Sequence, residues 1–421
     1  RPVIFCFLRQ VSLQATKTPL DKRAGITVND KNVKDARKMM RKTLDGMASG
    51  GIFDQVAGGF HRYSVDEIWQ VPHFEKMLYS QALMTIAYND FYRIEAQQKY
   101  KDIVYQTLGF VKREMQSPEG GFYSALDADS EREDKPGEHA EGAYYLWHET
   151  ELKKALSKKE FEFVKKYFHV RADGNIDSDP RDEFTGLNIF YIDEAYRDDT
   201  LTQQQDELLQ SVRKKLNKIR SSRPRPHLDD KVITAWNGMM LVAFAKASVT
   251  FDDPALLDEA LHTISFIKKD LYDAKDKKLY RQYRAQKSST EATLADYAWL
   301  ISGLLEVYQA GKDIQWLNWA IELHEIQNAL FLDEVSGAYY ESSANDTNLL
   351  FRSKSIYDAA LPSENAIALS NLRTLSVLSK KPSQKNAYSS HADKLVSSFS
   401  TVVNQNPAAA SMLLAVETKS K

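Results

Sequence analysis

The sequence is poor in several features that would narrow its chemistry. It has one cysteine, Cys6. It can therefore build no intramolecular disulfide, no Cys-x-x-Cys redox pair and no thiolate zinc site. It lacks a long apolar run. The longest near the start, Val3 to Leu8, is too short to span a bilayer and short for a signal-peptide core, and no small-residue cleavage site follows it. It lacks an excess of either charge, since 56 Lys plus Arg stand against 58 Asp plus Glu for a net of -2. No long-range field favours nucleic acid or a membrane surface, and neither is expected as a partner. There is no G-x-S-x-G elbow, no P-loop and no H-E-x-x-H. The nine histidines include no pair at metal-ligand spacing, so no metal and no cofactor is expected. His148, His169, His262, His324 and His391 read as helix-surface or core residues.

What is present is an ordinary globular balance, 43% hydrophobic and 27% charged over 421 residues, enough for one large domain or two medium ones. Residues 1–29 read as a poorly organised N-terminal remnant with one strand-like stretch, and 30–421 as one helical domain. Arg1, not Met, opens the chain, as expected of a fragment or a processed form.

Two kinds of helix alternate. "DDKVITAWNGMMLVAFAKA" and "ADYAWLISGLLEVYQA" are apolar nearly all round, which predicts burial on every face. "DIQWLNWAIELHEIQNALF" is amphipathic: Trp316, Trp319, Leu323, Ile326 and Leu330 share one stripe, and Gln315, Asn318, Glu322 and Glu325 face away. Asp230, Asp296 and Pro362 each open an apolar helix at intervals of 66 residues. Short aromatic, strand-like elements follow the helix pairs: "GGFYSA", "KLYRQY" and "GAYYES". Fixed-period helix pairs mean a repeat architecture. An open solenoid buries one face per pair, whereas a closed double ring buries its inner helices completely. The all-round apolar helices favour the ring, an all-α (α/α)6 toroid of about twelve helices with short β-hairpin elements between the pairs. Residues 127–200 break the rhythm with two charged stretches that read as cavity-covering loops or as solvated insertions.

In a closed ring the inner helices run parallel and their starts share one rim, which collects unpaired N–H groups and positive dipole ends. The polar residues gather there. "GGIFDQVAGGFHRYSVDEIWQVPHFEKMLY", residues 50–79, holds Asp54, His61, Arg62, Trp69, His73, Glu75 and Lys76. Asp127 and Asp129 follow "GGFYSA", Asp229, Asp230 and Lys231 lie in "RPHLDDK", and "LADY" contributes Asp296. Carbohydrate sites use such mixtures: aromatic faces for sugar rings, carboxylates and Arg for hydroxyls, and His or carboxyl for proton transfer. A carboxylate pair is also the minimum equipment for glycoside hydrolysis. His73, Asp127 and Asp229 are the candidates for proton transfer. Asp54, His61, Arg62, Trp69, Lys76, Asp129, Asp230, Lys231 and Asp296 are the candidates for contacts with a sugar or uronate ligand. The competing structural readings are that Asp229 and Asp230 cap a helix and that Glu75 and Lys76 form a surface pair.

The segment 50–79, with "EGGFYSALDADS", "EGAYYLW", "RPRPHLDDKVITAWNGMM", "DYAWLISGLLEVYQ" and "LPSENAIALSNL" in that order, closely resembles the spermatogenesis-associated protein 20 family from about residue 30 to the end. The resemblance implies a thioredoxin-like domain followed by an (α/α)6 toroid of the six-hairpin glycosidase-like kind. That toroid is similar to those of N-acylglucosamine 2-epimerases and unsaturated glucuronyl hydrolases. The chain is expected to hold the toroid without the thioredoxin-like domain and without its redox role. Asp54, His61, Arg62, His73, Glu75, Lys76, Asp127, Asp129, Asp229, Lys231, Trp236, Asn237 and Asp296 match the family pattern. Leu126, Ala295 and Leu361 stand where the family usually has an acidic residue, and Glu364 where it usually has glycine. The expected function is carbohydrate-related, as a sugar epimerase or glycoside hydrolase-like activity. The alternatives are a non-catalytic binding toroid and a helical scaffold for peptides. The single cysteine fits a reducing, intracellular compartment.

Overall fold

The computed structural model describes residues 30–177, 183–197, 201–287, 290–346 and 348–419. Residues 1–29, expected to be a poorly organised remnant, lie outside them. The helices are α1 (Asp30–Ser49), α2 (Leu78–Tyr92), α3 (Gln98–Glu114), α4 (Glu149–Ala155), α5 (Lys158–Tyr167), α6 (Gln203–Arg220), α7 (Thr234–Phe251), α8 (Pro254–Phe266), α9 (Leu294–Gly311), α10 (Ile314–Phe331), α11 (Glu364–Leu378), α12 (Pro382–Ser398), α13 (Ser400–Gln405) and α14 (Ser411–Lys419).

Helix α2 is buried at every residue through Phe91, and α7, α9 and α11 are buried over most of their circumference. These four lie side by side in chain order, and α14 continues the row against α11. Each is followed by an outer partner, α3, α8, α10 and α12 respectively. The outer helices bury one stripe: in α10 that stripe is Trp316, Trp319, Ala320, Leu323 and Phe331. The chain has the (α/α)6 toroid fold. Two glycines let α7 and α9 approach closely. A Cβ on Gly238 would stand 2.7 Å from the Trp299 carbonyl carbon, and one on Gly303 2.9 Å from the Gly238 oxygen.

The helix starts differ from those read off the sequence. α7 begins at Thr234, because Leu228–Asp229 and Val232–Ile233 are drawn into strands. Neither Asp229 nor Asp230 caps it; Ile233 holds the N-cap position with no side-chain bond. α9 begins at Leu294, with Thr293 as N-cap and Asp296 completing a capping box. The equal 66-residue spacing belongs to acidic and proline markers around the helix starts and not to the starts themselves.

The strand-like elements are short: β1 (Tyr63–Ser64), β2 (Pro72–His73), β3 (Lys76–Met77), β4 (Ala125–Leu126), β5 (Asp129–Glu131), β6 (His139–Glu141), β7 (Leu228–Asp229), β8 (Val232–Ile233), β9 (Tyr272–Asp273), β10 (Lys278–Leu279), β11 (Gln282–Arg284) and β12 (Gln286–Lys287). Three sheets position the rim. β1 pairs with β2, β4 lies between β3 and β7, and β5 pairs with β6. The irregular region is more ordered than its composition suggests. Its first acidic stretch is the β5–β6 hairpin. Around α4, α5 and α6 it builds a second apolar core from Trp147, Leu152, Phe161, Val164, Phe190 and Val212.

Candidate functional site

Beneath the rim lies a buried ion network. Glu75 directly precedes β3 and Lys76 opens it, and the two side chains find different partners, so they do not pair with each other. Lys76 turns inward and is fully buried. Its Nζ donates to Asp54 Oδ2 at 2.8 Å and to the Gly58 carbonyl at 3.0 Å, and it stands 4.3 Å from the centre of the Phe110 ring. Arg220, from the end of α6, donates through both terminal nitrogens to the two Asp54 oxygens at 2.9 and 2.8 Å. Asp54 also accepts the amides of Val56 and Ala57. Burial alone would raise the Asp54 carboxyl, but Arg220 and Lys76 together hold it well below the usual range. Burial lowers Lys76 to about 8 despite Asp54. His61 is buried beside them, its Nδ1 2.9 Å from the Phe74 carbonyl oxygen and its ring edge-on to Tyr145. Burial, then Lys76, pushes its imidazole down to about 3. Asp54 and Lys76, expected as ligand contacts, are thus enclosed, whereas His61, though buried, also lines the adjoining cavity. The three side chains hold the loop 54–61 beneath the rim.

Glu75 turns outward. Its Oε2 lies 2.6 Å from Arg62 Nη1 and 3.1 Å from His73 Nε2. The other imidazole nitrogen, Nδ1, lies 2.7 Å from Glu141 Oε1, which also accepts the Phe74 amide. His73 is therefore held between two carboxylates, and Tyr63 stacks on its ring at 5.0 Å. A neutral ring donates to one of these carboxylates and a protonated ring to both. In the antiparallel order β3–β4–β7, Asp127, just after β4, faces His227, and Asp229, at the end of β7, faces Ala125, so the two are diagonal neighbours two positions apart across the strand pair. Asp127 accepts the amide of Ala128, and Asp129 opens β5 opposite Glu141. Both carboxylates are exposed, and among the described residues neither has a cationic side chain within salt-bridge distance. Burial, then the Asp127 and Glu141 carboxylates, raise the Asp129 carboxyl, which His73 and His139 oppose. Asp229 pairs with Lys231 at 3.1 Å.

Two expected contacts lie apart from this cluster. Asp230 pairs with Arg284 at 2.6 Å. Asp296 is fully buried and accepts the amides of Thr293 and, across the helix pair, of Ala235 at 3.0 Å. It locks the start of α9 to the start of α7. Burial pushes its carboxyl up against the opposing pull of Arg281.

A cavity of about 690 Å3 adjoins the cluster. Its wall includes Arg62, Tyr63, Trp69 and Tyr79 at the rim and Met47, Leu83 and Met84 deeper in. Trp69 takes a left-handed backbone, φ 66°, which is unusual for a bulky residue. Asp66 holds it there by accepting the amides of Ile68, Gln70 and Val71 at 2.9, 3.0 and 2.5 Å. Gly50 is required beneath it, because a Cβ there would stand 2.2 Å from the Trp69 carbonyl oxygen.

The comparisons agree with this architecture. Over 367 residues the chain is 35% identical to human spermatogenesis-associated protein 20, covering 81% of this chain and 46% of the relative. Over most of its length the chain is similar to spermatogenesis-associated protein 20. It spans about half the length of the curated relatives it matches. No family model matches it. Among solved structures it is similar to a sugar epimerase from a ruminal bacterium, with TM-score 0.54 and 11% identity over 87% of this chain and 72% of that one. It is also similar to an unsaturated glucuronyl hydrolase specific for heparin, with TM-score 0.51 and 12% identity over 100% of this chain and 84% of that one. At these identities the likeness concerns the fold.

The positions where the chain departs from the family pattern are structurally quiet except one. Leu126 is buried on β4, and Ala295 and Leu361 pack partly buried against the main core. Glu364, at the first turn of α11, brings a carboxyl into the rim. Burial, then the nearby Glu341 and Asp296, raise it. Sequence reasoning missed Glu141 and Arg220 as partners of His73 and Asp54. Both lie in the stretch from 127 to 230 and reach the site only through strand pairing and tertiary packing.

Proposed function

We propose that the chain binds a neutral sugar at the rim and transfers protons to or from it. The observation that carries this reading is His73 held between Glu75 and Glu141 beside Asp127 and Asp129, two carboxylates with no cationic partner among the described residues. Unpartnered carboxylates accept hydrogen bonds from sugar hydroxyls and repel anionic rings, so the surplus favours a neutral sugar over a uronate. In this reading His73, Asp127 and Asp229 move protons, with the raised Asp129 carboxyl as a further donor. Arg62 and Lys231 contact hydroxyls, and Asp54, Lys76 and Asp296 keep the rim in register. The reaction class is proton transfer at a ring carbon or at a glycosidic oxygen.

The test is a thermal-shift titration with neutral mono- and disaccharides and, beside them, uronates. A ligand at a hundred times its Kd adds about 2.7 kcal/mol, so a neutral sugar is expected to raise Tm clearly. His73→Ala and Asp127→Asn are expected to abolish the rise. Stabilisation by uronates alone, or by no sugar, refutes the reading. A binding-only toroid is favoured by the apolar side chains at Leu126, Ala295 and Leu361. It predicts the same shift with the sugar's proton NMR spectrum unchanged after prolonged incubation.

A further inference from the structure

We propose that the apolar cavity receives the aglycone of a glycoside whose sugar sits at the His73 cluster. This rests on the sugar-binding reading above and extends it from the sugar to what the sugar is attached to. The cavity and the cluster are continuous. Arg62 and Tyr63 line the cavity, while Arg62 is 2.6 Å from Glu75 and Tyr63 stacks on His73. A ligand lying across Tyr63 therefore reaches both.

The two sides differ in character. On the cluster side stand carboxylates and imidazole. On the other, Met39, Met47, Ile52, Leu83 and Met84 form the wall, with the Phe60 and Trp69 rings. Among the described residues Arg62 is the wall's one permanently charged side chain, already paired with Glu75, and Thr43, His61, Ser64 and Ser80 are among its neutral polar members. Burying a charge or an unpaired polar group against methionine and leucine is costly, so the deep part suits hydrocarbon. Methionine side chains are flexible and polarisable and accommodate varied apolar shapes. A volume of about 690 Å3 lies within the usual range of small-molecule sites, about 300–1,000 Å3.

The wall is also built to a fixed shape. Trp69 is kept in its left-handed conformation by the three amides that Asp66 accepts, and such strain concentrates at ligand clamps. The facing helix is trimmed to fit. A Cβ on Gly46 would come within 3.1 Å of the Trp69 ring. At the mouth, Ala359 and Ala360 are small and exposed, leaving an opening through which a chain can enter.

The experiment is calorimetric titration of the full chain with methyl, butyl, hexyl and octyl β-D-glucosides, mannosides and galactosides, all below their micelle concentrations, with 1-octanol as the sugar-free probe. For at least one sugar, Kd is expected to fall about fourfold per added methylene until the cavity is full. Ala360→Trp narrows the mouth from an exposed loop position. It is expected to remove the chain-length dependence while leaving methyl glycoside binding and Tm unchanged. Equal Kd for methyl and octyl glycosides overturns the proposal and leaves the sugar site standing. Octanol binding as tightly as every octyl glycoside, with no methyl glycoside bound, overturns both. A chain-length dependence that survives Ala360→Trp places the chain elsewhere and overturns the proposal, as does no binding by any member of the series.

Discussion

Replacing Asp54 by Asn removes one negative charge and almost no volume. The amides of Val56 and Ala57 still find an acceptor in the Asn carbonyl. What is lost is the counter-charge to Lys76 and Arg220, whose residues are 0% and 3% exposed. Breaking a buried ion pair by removing one partner costs about 3–5 kcal/mol, because the remaining charge stays desolvated. Here two cations share the one carboxylate, at 2.8 Å and at 2.9 and 2.8 Å, so the upper end of that range is expected. The assay is urea unfolding at pH 7 followed by tryptophan fluorescence. The midpoint is expected to fall without a matching change in slope. Adding Lys76→Met and Arg220→Met to Asp54→Asn removes the stranded charges and is expected to restore most of the loss. A loss of less than about 1 kcal/mol for Asp54→Asn alone would show that the network is hydrated or mobile, refuting its role as the floor of the site.

Further outcomes follow from the same geometry. Burial pushes His61 down to about 3 and His324 down to about 4, against about 6.5 in the unfolded chain. Burial lowers His391 as well, so between about pH 4 and 6.5 the unfolded chain holds protons that these histidines refuse in the folded chain; stability rises with pH in that window and falls on acidification, by up to about 1.4 kcal/mol per unit for each such histidine. His61→Phe is expected to lower that slope by about 1.4 kcal/mol per unit in urea titrations from pH 6.5 to 4.5. Asp66→Ala removes the acceptor of three amides and should cost about 1–3 kcal/mol while speeding proteolysis between Ser64 and Val71. Gly238→Ala drives a methyl group into the Trp299 backbone and should destabilise by about 1–3 kcal/mol, read from the same urea curves.

The toroid was legible because burial on every face leaves a mark on composition. α7 and α9 have no polar stripe, and only an inner layer accommodates such helices. The gathering of polar residues at one rim followed from that layer. The details of the site were hidden for three physical reasons. Two-residue strands carry no periodicity, so nothing in "PHFEKM" tells that Lys76 turns inward while Glu75 turns out. The partners that matter are remote: Arg220 reaches Asp54 across 166 positions and Glu141 reaches His73 across 68. Helix starts were misplaced where strand pairing claimed the residues that would otherwise open the helix, so Asp230 turned to Arg284 instead of capping α7. Asp296 kept its place at a helix start, but its carboxylate is spent on the amides of Thr293 and Ala235.

The central claim is that His73, Asp127 and Asp129 form a sugar-binding edge. A crystal structure of the chain grown or soaked with the neutral sugar that stabilises it most tests this directly. The sugar is expected against Tyr63, with its hydroxyls within hydrogen-bond distance of the Asp127 and Asp129 carboxylates and one ring atom or glycosidic oxygen next to His73. A sugar bound elsewhere, with His73 still closed between Glu75 and Glu141 and no ligand along this edge, would contradict the account.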